Sequence, residues 1–583
     1  MQTKSRTFGR RLLLTSEQEN VARNILLAGL CGYWLFLLHV AWPNHGRTGI
    51  YLPYNLVAWG AALTLCALFW FFRPGKNRVI LDHTTHWLGA GAILMSLPLL
   101  WSPSAETLHY AFPRMAGLWA GMIFWFTLRQ CTFTATQKYA LLYSLVIAGI
   151  VEAIIVLFEL HAPLPWLPES WQLIVSKYGR YGTGVFQQVN VTASFLATTL
   201  AVALLLLGLR TASLPDARVE LARLVILSIA VILMSAVITT VYSRVGWLGG
   251  ILAVTGIYTL WSVRRFKLYG QRRGLTLLLP LAGIVFGILL LKIPVSMTLE
   301  IHDGSNQQRL LTLYHTIIYA LQHPFLGYGA GTYEGYYQHY LAALPGGNPG
   351  REVMEHPHNE LLYQFSEGGI VALTGALLWC GLYLRLWFRA TSILQAGAMI
   401  AMLPLLLHTQ VEFPLYYSVP HCLALLILLR LADREYRDTP AIKRRHPGRF
   451  AVQVIMLILA LYGGTLSFQS FQAGVILDKF ENDEFSPQQA ERITTLNIPW
   501  ILRSRYDLDL SLLRLVRFRA LPDNASLNLF TQENAKLLTV YASPDMYNNQ
   551  IAVFHYLDDR SAVNLWRNKA RRMFPWKAEY QEQ

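Results

Sequence analysis

Apolar runs long enough to cross a bilayer recur along most of this chain, and no other feature limits its fold so strongly. A spanning helix needs about 20 mostly apolar residues, and about thirteen such segments can be placed. They lie near residues 24–41, 52–72, 85–101, 111–128, 139–160, 191–209, 222–241, 245–263, 274–292, 361–384, 392–409, 414–432 and 451–470. Inside hydrocarbon every backbone N–H and C=O must find a partner within the protein, which makes helices the expected element. The predicted architecture is all-α, with a polytopic transmembrane bundle over residues 1–470 and a C-terminal helical domain over 471–583. Of the 583 residues, 54% are hydrophobic and only 14% charged, far from a soluble domain.

The net charge of +15 could suggest nucleic acid. Mapped onto the chain, however, the basic residues fall in alternate connections: the N-terminus with Lys4, Arg6, Arg10 and Arg11, then Arg73, Lys76 and Arg78, then Arg264, Arg265, Lys267, Arg272 and Arg273, and the run from Arg430 to Arg449. The opposite short connections are nearly free of them, with Arg47 alone in 42–51 and none in 102–110. This is the positive-inside pattern. It predicts a cytoplasmic N-terminus, membrane lipids rather than nucleic acid as surroundings, and a C-terminal tail on the outer, periplasmic side of a bacterial inner membrane. No small-residue cleavage site follows the first segment, so it reads as an uncleaved anchor. The five cysteines sit in or beside apolar segments without a CxxC pair, which argues against a disulfide framework or a zinc site.

Two outer regions are long enough to hold structure. The 293–360 loop contains Gly327, Gly329, Gly331 and the stretch from Pro345 to Gly350, read as turns between short amphipathic helices. In the tail, Ser486-Pro487 and Ser543-Pro544 each look like a cap and first-turn proline opening a helix. Asp507-Leu508-Asp509 reads there as a solvated face.

The polar residues that gather where the outer loops meet the membrane are the functional candidates. They are Arg180, Asn190, Arg244, Arg309, His358 with Asn359, and the pair His408 and Glu412. An arginine on the side that should be poor in positive charge is costly to place, which makes it a candidate by default. Each one alone could be a headgroup contact. Three facing one cavity would suit a pyrophosphate, because guanidinium forks match phosphate oxygens two at a time. His358 opens an apolar helix, where an imidazole could cap, could contact headgroups, or could handle a proton near neutral pH. With His356 it could contact a metal, but two histidines without a third ligand do not make a site. His408 and Glu412, four apart, share a helical face either as a structural pair or as part of a site. The outer loops between spans hold no Asp-x-Asp and no Trp-Trp-Asp, so no metal or other cofactor is expected. Because nucleotide sugars are cytoplasmic and the candidates face outward, a lipid-linked donor fits best.

Taken together, Arg180 with Phe186 and Asn190, Ser243-Arg244 with Trp247, Arg309, His323 to Gly329, His356 to Asn359, and His408 to Leu415 resemble the O-antigen ligase superfamily. His358, Asn359 and Gly369 fit its His-Asn, nine residues, Gly pattern, while Ala372 departs where glycine, threonine or tyrosine is usual. Within the superfamily, Glu412 to Leu415 and the extension ending near Arg572 to Pro575 look like the PglL-type protein O-oligosaccharyltransferases. The resemblance implies transfer of a preassembled glycan from undecaprenyl pyrophosphate to Ser or Thr hydroxyls of a pilin-like acceptor protein, without a metal. His358 would assist the hydroxyl. Arg180 and Arg244 would hold the leaving pyrophosphate, with Arg309, Asn190, Asn359, His408 and Glu412 as substrate-binding residues. The alternatives are an O-antigen ligase or polymerase and, in a different class, a lipid-linked glycan transporter. A transporter should place ionisable groups near mid-membrane. Glu152 and Glu159 fall within one span, but Glu159 is near its outer end, so the polar features collect at one face.

Overall fold

The computed structural model describes residues 20–40, 42, 49–74, 79–209, 212–263, 270–291, 303–434, 448–482 and 487–581. Lys4, Arg6, Arg10, Arg11, Arg47, Lys76, Arg78, Arg264, Arg265, Lys267, Ser486 and the stretch 435–447 lie outside the described residues. Among the described residues every regular element is a helix. Each expected span is met by one, though not each by a full-length one. Seven are long and apolar enough to cross a membrane: Asn20–His39, Pro53–Phe72, Ala135–His161, Val189–Gly208, Ala217–Thr240, Glu360–Arg389 and Arg449–Asn482. Four more are apolar but shorter: Arg244–Leu260, Leu275–Leu290, Ile393–His408 and Val419–Ala432. The other two differ for local reasons. His83–Ser96 tightens into a 3-10 turn around Pro98, and Ala105–Arg129 carries Glu106, Arg114 and Arg129.

Helix starts follow from capping chemistry. Ser104 with Thr107, Thr134 with Gln137 and Ser392 with Gln395 each form a reciprocal box that satisfies two end N–H groups. The bundle is organised around Val189–Gly208, whose apolar stretch is 100% buried, against 17% for Arg449–Asn482. A helix hydrophobic on all sides belongs inside. Close approach to it depends on glycine: a Cβ at Gly246 would lie 2.4 Å from the Ala193 Cβ, so the helix beginning at Arg244 packs almost backbone to backbone against the central one.

The span expected at 361–384 is in fact broken. At Gly369 the backbone turns to φ 55°, ψ −152°, dividing a polar segment 360–368 from the apolar run 370–389. The His323 to Gly329 loop fills the gap. Ile370 N–H donates to the Pro324 carbonyl (2.9 Å), Gly329 N–H to that of Glu367 (2.8 Å) and Tyr328 N–H to that of Ser366 (3.1 Å). A Cβ at Gly369 would come within 2.3 Å of the Phe325 backbone, so both the left-handed φ and the contact require glycine here.

The last spanning helix continues past residue 470 to Asn482, so the tail grows directly out of it. It leads into the helices Pro487–Thr494, Arg503–Ala520, Asn524–Leu537, Pro544–Tyr556 and Arg560–Met573, and the last of these, with the turn at 539–542, seats on the 333–351 segment. Ala542 N–H donates to Glu334 Oε1 (3.0 Å), Asn348 N–H to the Arg572 carbonyl (3.0 Å), and the Arg572 guanidinium to the carbonyls of Ala342 and Leu344. This docking overturns the solvated reading of Asp507-Leu508-Asp509. Asp509 is fully buried, and Asp507 pairs with Arg503 (2.8 Å) and with His109 (3.2 Å) of the Ala105–Arg129 helix.

Candidate functional site

Three helices begin at one corner of the bundle, and each begins the same way. Gln187, Tyr242 and His358 adopt left-handed φ of 56°, 49° and 58°. Each is followed by a residue whose side chain caps the helix: Gln188 accepts from Val191 N–H (2.6 Å), Ser243 from Gly246 N–H (3.0 Å) and Asn359 from Leu362 N–H (3.0 Å). Left-handed backbone in residues with a Cβ costs roughly 1–3 kcal/mol each and concentrates at functional sites. Three helix N-termini at one corner also concentrate partial positive charge, which suits an anion.

Glu412 stands at the centre of this corner. One of its carboxylate oxygens accepts from Arg309 (2.5 Å) and from Asn190 Nδ2 (2.6 Å), and the other lies 3.1 Å from His408 Nε2 and 3.3 Å from Gln188 Nε2. Burial alone would raise this carboxyl, but the His408 hydrogen bond and the charges of His408 and Arg309 hold it down at about 2. Asn190 in turn accepts from the Ser243 hydroxyl (2.6 Å) beside Arg244, and Arg244 donates to Asn306 on the helix Asp303–Leu321 that carries Arg309. Behind Glu412 the chain of contacts continues inward, from His408 Nδ1 to Ser194 Oγ (2.8 Å) and from there to His421 (3.1 Å).

The His358 loop is fastened to the same connection. Asn359 Nδ2 donates to the Gln410 carbonyl (3.2 Å) and Glu360 N–H to that of Thr409 (3.0 Å), so residues 358–360 lie along 409–412. His358 N–H donates to His356 Nδ1 (3.0 Å), which uses that ring as a turn partner. Burial pushes the His358 imidazole down to about 4, against the pull of Glu412. It is therefore neutral at physiological pH, and its Nδ1 has no hydrogen-bond partner among the described residues.

Of the residues singled out by sequence, Asn190, Arg309, His408 and Glu412 are in direct contact. Asn359 meets the same connection at Gln410, Arg244 bonds Asn306 on the helix that carries Arg309, and His358 lies in the segment that Asn359 fastens there. Arg180 is placed differently: its guanidinium donates to the Glu159 carbonyl (2.6 Å) at the end of Ala135–His161. The adjoining loop is tied there too, with Gly182, Thr183 and Gly184 N–H donating to the Glu159 carboxylate and Val185 N–H to Glu152 (2.8 to 3.0 Å). The two acidic residues that a transporter might use are thus engaged in holding a loop.

Sequence reasoning missed several members. Gln188, Ser194, Asn306 and His421 lie in ordinary polar or apolar stretches and carry no separate signal, while Ser243 enters only as part of the Ser243-Arg244 motif. Arg114 was detectable as a charge inside an apolar segment. It is paired with Glu367 and lies 4.5 Å from the Tyr363 ring centre, bracing the 360–368 segment. Among the described residues no group of three His, Cys, Asp or Glu could hold a metal ion.

Residues 229–380 match the O-antigen ligase family, and residues 397–583 match the family described as virulence factor membrane-bound polymerase, C-terminal. The first match takes in Arg244, Arg309 and His358, and the second takes in His408, Glu412 and the whole tail. The chain belongs to the O-antigen ligase superfamily. None of the curated proteins matches it. Members of the superfamily are ligases and polymerases, membrane enzymes that transfer glycans.

Proposed function

We propose that this superfamily member transfers a preassembled glycan from undecaprenyl pyrophosphate to a Ser or Thr hydroxyl of a pilin-like protein at the outer face of the bacterial inner membrane. The observation that carries the reading is the pairing of a cationic corner, built from Arg309, Arg244 and three helix N-termini, with the neutral imidazole of His358 fastened beside it. In the proposed step the acceptor oxygen attacks the anomeric carbon while its proton passes to His358, and the bond from that carbon to the pyrophosphate oxygen breaks. The departing pyrophosphate gains negative charge, which Arg244 and Arg309 stabilise. Arg180, held at the neighbouring loop, would add to the field once a donor is bound. A single displacement inverts the anomeric carbon.

Glu412 is already ionised and has its oxygens occupied, so its role is to orient Arg309, Asn190 and His408 rather than to accept the proton. The protein acceptor rests on the tail, which packs over the 333–351 segment next to the site and gives a folded partner something to meet. A second reading, a polymerase that adds glycan to glycan, draws on the match of residues 397–583 to a polymerase C-terminal family.

Purified protein in liposomes, given the undecaprenyl-pyrophosphate glycan with chelator present, tests both. A mass shift on a pilin with wild type and not with His358→Ala is the expected result. Glycan gained only by lipid A–core or by another glycan would move the chain to the ligase or polymerase reading.

A further inference from the structure

The helix Asp303–Leu321, in the outer 293–360 loop read as holding short amphipathic helices, has its polarity inside out for a helix in water. Gln308, Thr312 and Thr316 form a buried stripe, none more than 5% exposed. That stripe is satisfied by the chain behind it. Arg351 N–H donates to Gln308 Oε1 (2.9 Å), the Thr316 and Tyr333 hydroxyls bond (2.7 Å), and Tyr337 OH donates to the Thr312 carbonyl (3.3 Å). The opposite stripe, Leu310, Tyr314, Ile317 and Leu321, is bare at 68, 62, 44 and 59%. Their spacing of four, three and four puts them on one helical face.

An aqueous helix would turn these faces the other way. The bare stripe also does not end at Leu321. Phe325 and Leu326, 76 and 52% exposed, follow it in the loop that fills the Gly369 break, where Ile370 N–H meets the Pro324 carbonyl. From Ile370 the exposed side chains Leu377 and Leu384 run on at seven-residue intervals down the apolar half of Glu360–Arg389. That half, residues 370–389, is about 30 Å long at 1.5 Å per residue, the thickness of the hydrocarbon core. Phe325 and Leu326 therefore stand where the hydrocarbon begins, and the stripe continues a surface already turned to lipid.

We propose that Asp303–Leu321 lies in the membrane boundary with Leu310, Tyr314, Ile317 and Leu321 immersed among the acyl chains of bilayer phospholipids. Tyr314 supplies the amphipathic ring suited to that depth. Arg309, one residue before Leu310, is then held at headgroup level, and Arg244 reaches the same helix through Asn306. The immersion goes beyond the transfer reaction and stands whether or not that reaction is as proposed.

A benzophenone amino acid placed at Tyr314 or at Ile317, in protein reconstituted into phosphatidylethanolamine and phosphatidylglycerol liposomes, reads the surroundings directly on illumination. Phe388 on the spanning helix serves as the lipid reference, and Tyr556 in the tail as the aqueous one. Phospholipid adducts at Tyr314 and Ile317 within about threefold of the Phe388 yield are expected from their shared immersion. Adducts no more frequent than at Tyr556, or a cross-linked pair of chains in place of lipid, would overturn the proposal. The unaltered protein photolysed with a phospholipid carrying an acyl-chain diazirine gives the same answer without substitution. Label on the 303–326 peptide supports immersion, and its absence while the 370–389 peptide is labelled counts against it.

Discussion

Two buried arginine and carboxylate clusters lie at opposite ends of the Val419–Ala432 helix, and they are built on different plans. At its far end Arg129 donates to Asp82 (2.6 Å) and faces Asp433 (3.7 Å), while the other oxygen of Asp82 caps a helix through Thr85. One cation there serves two anions, and each side chain stabilises a helix end or joins two helices. At the near end the proportions reverse. Glu412 alone gathers Arg309, Asn190, His408 and Gln188, Arg244 is bonded to Asn306 on the helix that carries Arg309, and His358 lies beside it. The near cluster is also approached by three strained residues, Gln187, Tyr242 and His358. The far cluster, one cation between two carboxylates on relaxed backbone, joins helix ends, whereas the near one gathers several donors around a single carboxylate and is approached by strained backbone.

The largest effect that should separate the two clusters is on His358. General acid–base catalysis contributes typically 10²–10⁴-fold, so His358→Ala should lower glycan transfer by about that factor at unchanged protein level in the membrane. Near-normal transfer would remove the imidazole from the reaction. Glu412→Gln keeps the shape but leaves Arg309 without its countercharge. Transfer per molecule should fall by about 10- to 100-fold, in line with the roughly 1.5–3 kcal/mol of a charged hydrogen bond. Arg244→Lys removes the fork while keeping the charge, and about a tenfold loss is expected if pyrophosphate is gripped two oxygens at a time. An active lysine variant would mean that charge alone is required.

Much of this was legible in the sequence. Apolar length set the helices, and polar residues where the outer loops meet the membrane marked Asn190, Arg309, His358, His408 and Glu412 as candidates without bringing them together. What stayed hidden depends on distance along the chain. That Glu412 meets Asn190 and Arg309 follows from packing residues more than a hundred positions apart, which no local pattern encodes. The Gly369 break looked like a continuous apolar run because a loop some forty residues earlier supplies the missing partners. Asp509 read as surface because helix 503–520 docks on another helix through a face that is polar by composition. Arg180 carried the same signal as the other arginines, but its carbonyl partner at Glu159 has no signature in sequence at all.

The pH profile sharpens the comparison with a smaller effect. Burial holds His358 at about 4, well below an ordinary imidazole, and Glu412 sits at about 2. Between pH 7 and 5 neither changes charge, so transfer by the folded enzyme should vary by less than about twofold over that window and decline only as pH falls through about 4. The sign follows from protonation: the proton taken up in that limb occupies the lone pair the acceptor needs. An acid limb centred near 6.5, the value of a solvated imidazole, would show that His358 is more open in the working enzyme.

The smallest expected change in transfer belongs to the far cluster. Arg129→Met removes the cation shared by Asp82 and Asp433 and leaves two carboxylates facing each other in a buried place. Breaking a buried pair in this way typically costs about 3–5 kcal/mol, so the thermal midpoint in detergent and the amount of protein in the membrane should both drop. The molecules that do fold keep the Glu412 corner intact at the other end of Val419–Ala432, and their transfer rate should stay within about twofold of wild type because well-separated sites add nearly independently. Turnover normalised to folded protein is the measurement. A tenfold loss there would mean that strain passes along the helix from one end to the other, and the two clusters would then have to be treated as one coupled unit.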